Sequence, residues 1–85
     1  MLSPAASLNQ LPREQRAVVV SVDWDQLDAG EARRLREFGL DEGVDVELLH
    51  RALLRGGPVA CRIGRMIIGL RGRVAGAIRV MPQAA

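Results

Sequence analysis

The chain has no lysine and no tyrosine, and its only cysteine, histidine, tryptophan and phenylalanine are Cys61, His50, Trp24 and Phe38. A lone cysteine excludes an internal disulfide, which suits a cytoplasmic setting. Two aromatic rings offer neither a stacking platform for single-stranded nucleic acid nor an aromatic groove for proline-rich peptides. No run approaches the ~20 apolar residues of a membrane span, so no direct membrane insertion is expected. The N-terminal residues MLSPAAS lack both a basic start and an apolar stretch, so no export signal is expected either. Charge of one sign is also missing: twelve arginines are interleaved with ten acids, for a net charge of +2. A nucleic-acid binder would show a one-signed patch, and none is expected here.

Groups for catalysis are scarce. Ser3 and Ser7 fall in the N-terminal tail, and His50 has no orienting partner by spacing. Gly56-Gly57-Pro58 is a turn and not a phosphate cradle, because no helix start with Lys-Ser/Thr follows it. No enzyme is expected, and no cofactor. His50 and Cys61 are two soft metal ligands where a structural zinc takes four. They are expected as a surface histidine and a buried thiol. The other reading is a metal site shared between two chains and completed by Asp45 or Glu47.

What is present suffices for one small domain. At 85 residues and 48% hydrophobic content, the chain can bury ~60–65% of its unfolded surface. The stretch Asp28 to Val46 organises the rest. Asp28 followed by Glu31 reads as a helix cap with its capping box. Ala32, Leu35 and Phe38 recur on one face, with Arg33, Arg34, Arg36 and Glu37 on the other. Gly39 supplies a left-handed stop, and Leu40 falls where it can pack back on Leu35. After the turn Asp41 to Gly43, the period changes to two, with Val44, Val46 and Leu48 against Asp45 and Glu47.

Residues 1–7 are expected as a flexible tail, 8–81 as the domain and 82–85 as a second tail. Leu8 and Leu11 fit one turn packed on the domain's end. Strands are expected over 17–22, 44–51, 59–63, 66–70 and 78–81, with one helical or 3₁₀ turn over 71–77. The dense run AVVVSV of the first strand predicts burial on more than one side. Gly64-Arg65 predicts a two-residue hairpin loop of type II′. The fold class is mainly β with one inserted short helix: a small five-stranded, partly open SH3-like barrel.

Leu49, Leu53 and Leu54 form a candidate docking surface at the barrel's edge. Alternatively the loop folds over the open end and buries them. Arg33, Arg34 and Arg36 form a solvated helix face, or a contact for an acidic partner.

The series RRLREFGLDEGVDVELL, GGP and GLRGRVAGAIRV resembles the FeoA family, the ferrous-iron transport accessory proteins. Arg34-Leu35, Gly39-Leu40 and Gly43 carry the first half of that resemblance. Gly56-Gly57-Pro58, Leu70-Arg71, Ala75, Ile78 and Val80 carry the second. Departures fall at turns and at one strand position: Glu42 and Leu54 stand where the family has proline, Gly64-Arg65 inverts the hairpin order, and Gly69 replaces alanine. The early turn Pro12 to Gln15 lacks the usual glycine. The resemblance implies an SH3-like barrel that binds the cytoplasmic part of FeoB, a membrane GTPase transporter, as a monomer or weak homo-oligomer. Leu49, Leu53, Leu54, Arg34 and Arg71 are the expected partner contacts. The rival is a metal- or nucleic-acid-binding regulatory domain related to the C-terminal domain of iron-dependent repressors.

Overall fold

The computed structural model describes residues 6–52 and 56–83. Six strands pair antiparallel in one sheet: β1 (Ala6–Ser7), β2 (Arg16–Val22), β3 (Asp45–Arg51), β4 (Val59–Ile63), β5 (Met66–Leu70) and β6 (Ile78–Pro82). Their order is β1-β6-β2-β3-β4-β5, so β1 and β5 are the two edges and the barrel stays open. Helix α1 (Ala29–Glu37) follows β2, and the short α2 (Gly72–Gly76) joins β5 to β6.

The helix forms for the reasons its sequence implies. Asp28 accepts from the Glu31 N–H at 2.8 Å, and Glu31 accepts from the Asp28 N–H at 3.1 Å. At the other end Gly39 has φ 82°. The Leu40 N–H bonds the Leu35 carbonyl and the Gly39 N–H bonds that of Arg36, each at 3.0 Å. These are the two bonds of a Schellman stop, with buried Leu40 and Leu35 as its apolar contact.

Period-two burial holds in β3 and β4. Val46 and Leu48 join Val59, Cys61 and Ile63 in a single core, which α1 caps with Leu35. The hairpin loop Gly64-Arg65 has φ 58° at glycine and no left-handed arginine, as a type II′ turn requires.

Three expectations are corrected. First, the N-terminal tail is shorter and the last strand longer than the sequence pattern implies. Ala6–Ser7 pair with Val80 and Arg79, and Pro82 pairs with Ala17. Hence the described residues form six strands and not five. Second, AVVVSV is not buried on both sides. A bulge between Val19 and Ser21 leaves Val20 unpaired and 42% exposed. Third, a bulge also falls between Leu48 and His50, so strict alternation ends at Leu49. Beyond it Arg51 reaches back to donate to the Leu11 carbonyl. Leu8 and Leu11 form the expected turn and are fully buried.

Glu14 is the one non-glycine residue with positive φ, 65°, among the described residues. Its N–H bonds the Leu48 carbonyl at 2.7 Å, which fixes that conformation. An L-residue there costs ~1–2 kcal/mol, offset in glycine by ~0.5–1 kcal/mol of chain entropy. Glu14→Gly is therefore expected to raise stability by about 0.5–1 kcal/mol, or ~3–6 °C in Tm. A lower Tm would show that the Glu14 side chain matters more than its backbone.

Candidate partner-binding site

A groove of about 490 Å³ lies between α1 and the end of β5. Leu35, Leu70 and Val74 form an apolar floor. Arg33, Arg34 and Phe38 rise on the helix side, with Gly69 and Arg71 on the strand side. The groove exists because α1 packs its Ala32 and Leu35 face down while β5 has no further strand beside it.

The charges around it are sorted by their partners. Arg73 pairs with Glu31 and donates to the Gln26 carbonyl at 3.0 Å, tying α2 to the start of α1. Arg36 stacks on Trp24 at 4.3 Å. Asp28 is held as the helix cap. Arg34 lies 5.7 Å from the Phe38 ring centre. Among the described residues, Arg33, Arg34 and Arg71 have no carboxylate partner. The groove thus joins an apolar floor to these three arginines, while the two carboxylates that also line it, Asp28 and Glu31, are engaged at the helix cap and with Arg73.

Of the expected contact residues, the structure brings Arg34 and Arg71 into this one groove. Leu49 is half-buried at the β3 bulge and does not line it. Leu53 and Leu54 lie outside the described residues. Sequence reading missed the most exposed large apolar side chain among the described residues, Ile67 at 63%, on edge strand β5. MIIGL announces a strand, but nothing local announces an edge.

His50 is exposed, whereas Cys61 is fully buried. Glu47 is occupied by Arg62 at 2.6 Å. Among the described residues no three His, Cys, Asp or Glu side chains gather to hold a metal. Burial pushes the Cys61 thiol up from 9.0 to about 11. The folded state then keeps a proton that the unfolded chain loses first, so this stabilisation is complete below about pH 9 and disappears as pH rises through about 11. With no lysine or tyrosine present, little else titrates in that window. The wild-type chain should lose about 3 kcal/mol between pH 8.5 and pH 11.5 in urea titrations, and Cys61→Ala should lose much less. Parallel losses in both would place the thiol in a more solvated setting.

No helix among the described residues is long and apolar enough to cross a membrane. None of the curated proteins compared with the chain matches it. The model of the FeoA domain matches residues 6–82. The zinc-complexed FeoA of Stenotrophomonas maltophilia, described as a procaryotic SH3 domain protein, is 34% identical. That match covers 91% of each chain, with a TM-score of 0.74. The FeoA protein of Chlorobium tepidum is 31% identical over 92% of this chain and 70% of its own, with a TM-score of 0.79. A manganese-dependent transcriptional repressor shares the fold at TM-score 0.80 and 19% identity. The match spans 45% of that repressor's length. With the family model covering nearly the whole sequence and the sheet and helix arranged as in its solved relatives, this chain belongs to the FeoA family.

Proposed function

We propose that the chain is a non-enzymatic accessory protein of ferrous-iron uptake, binding and modulating the cytoplasmic GTPase region of a FeoB-type transporter. The observation that carries this is the family match over residues 6–82. The Stenotrophomonas maltophilia relative has been put forward as a bacterial ferrous iron transport activating factor. The side chains fit a binding role better than a reaction. The Ser7 hydroxyl donates to the Gly76 carbonyl at 3.0 Å, the Cys61 thiol is buried and His50 is exposed to solvent. The groove between α1 and β5 joins apolar side chains to three arginines without a carboxylate partner among the described residues, which suits another protein chain.

The rival reading, a metal- or nucleic-acid-binding regulator, draws on the repressor likeness, which at 19% identity speaks for the fold alone. The zinc of the Stenotrophomonas maltophilia protein has no matching ligand cluster among the described residues here.

Calorimetric titration of this chain into the purified cytoplasmic portion of a FeoB-type transporter tests the proposal. Saturable binding at micromolar concentration is the expected result. No heat and no co-elution at high micromolar concentration would overturn it.

A further inference from the structure

We infer that the groove between α1 and β5 takes an extended partner segment, alternating acidic and apolar residues, as an added strand on β5. The inference rests on the partner-binding reading above and names the surface and its chemistry.

The first support is the hairpin register. Ile63 and Met66 flank a two-residue loop, and the pairing runs on through Cys61 with Ile68 and Val59 with Leu70. Residues flanking such a loop form a hydrogen-bonded pair, and bonded pairs alternate with non-bonded ones. Met66, Ile68 and Leu70 therefore bond to β4. The N–H and C=O groups of Ile67 and Gly69 face the open edge. Neither residue's backbone has another partner among the described residues. An unpaired edge of this kind is a template for one more strand.

The second support is space. Gly69 lines the groove, and a Cβ built on it would meet nothing within 4 Å, so the sheet face beside this edge is uncovered. Ile67, 63% exposed on the same strand, adds apolar surface beside it.

The third is charge. Arg34 and Arg71 stand on opposite sides of the groove and have no carboxylate partner among the described residues. A strand laid between them presents alternate side chains to opposite faces. Apolar ones meet Leu70, Val74 and Phe38, while acidic ones meet the two guanidiniums. A basic segment would be repelled by both guanidiniums, since the Asp28 and Glu31 carboxylates that also line the groove are engaged at the helix cap and with Arg73.

The test uses calorimetry on the full chain with two probes. One is the cytoplasmic portion of the transporter. The other is a blocked peptide alternating glutamate with valine, beside a counterpart alternating lysine with valine. Two variants accompany the wild type: Arg34→Glu with Arg71→Glu, and Gly69→Pro, which removes the outward N–H. Each variant should weaken transporter binding by at least roughly tenfold, with Tm held within a few degrees. The glutamate peptide should bind and the lysine peptide should not. If the wild type binds the transporter and both variants bind equally well, the groove assignment fails while the accessory role stands. If the glutamate peptide binds but the transporter does not, the accessory role fails and the groove assignment stands. If neither probe binds, both fail. Should Gly69→Pro lose its cooperative melt, the double arginine variant decides, since it alters exposed side chains only.

Discussion

Gly72→Ala should cost the domain about 3–5 kcal/mol, enough to lower Tm by ~15–30 °C or unfold it outright. A methyl group is a small change, and elsewhere in a helix it would help. At Gly72 the added Cβ would overlap the Gly56 carbonyl oxygen, lying 2.7 Å from the Gly56 carbonyl carbon and 2.8 Å from the Gly57 oxygen. All of these are backbone atoms, so no rotamer change relieves the clash. Either the start of α2 or the Gly56-Gly57 turn has to move, and both flank the core residues Val74 and Val59. Gly76, at the end of the same helix, is the internal control. Its added Cβ would meet the Asn9 side chain at 3.5 Å, an ordinary contact, so Gly76→Ala should be near neutral. Urea denaturation of both variants reads the contrast. Equal, small effects would mean that the two backbones can separate at little cost.

The double substitution Leu8→Ala with Leu11→Ala should abolish cooperative folding. Each side chain is at most 1% exposed, and each deletion alone costs ~2–5 kcal/mol with the cavity it leaves. A domain of this size has only ~4–13 kcal/mol in total. The two leucines plug the end of the sheet. Their turn is pinned there by the Ser7 hydroxyl on the Gly76 carbonyl and by the Asn9 amide on the Gly72 carbonyl at 3.2 Å. The pair are neighbours, so their effects will not add simply. A sharp melt within a few degrees of wild type would show that the N-terminal turn is an appendage and not a part of the core.

These cases show which features a sequence states openly. The cap at Asp28, the stop at Gly39 and the Gly64-Arg65 loop each depend on a few neighbouring residues, and all three stand as the pattern implies. Gly56-Gly57 and Gly72 are different. Each reads locally as a turn or a weak helix position, and only the fold shows that they press on one another. The bulges at Val20 and Leu49 are equally silent, because an extra residue shifts the pairing without changing strand composition. For the same reason the run of valines suggested two-sided burial that the bulge denies to Val20.

The candidate site divides the same way. Arg34 stood out on the polar face of its helix, and Arg71 through the family pattern. Their meeting across one groove depends on the path of β4, β5 and α2. Leu49, Leu53 and Leu54 read as docking residues because they are apolar and close to an expected loop. Among the described residues the large apolar side chain most open to solvent is Ile67, exposed because its strand ends the sheet. Edge position is a property of the whole topology, and no window of residues around Ile67 encodes it.

The central claim is that a partner chain docks between α1 and the edge of β5. Backbone amide shifts of the ¹⁵N-labelled chain, recorded while the cytoplasmic portion of the transporter is added, test it most directly. The account predicts that the largest changes fall on Arg34, Phe38, Ile67, Gly69, Leu70 and Arg71, with Leu49 and His50 little affected. Changes centred on Leu49 and His50, with β5 and α1 undisturbed, would contradict it.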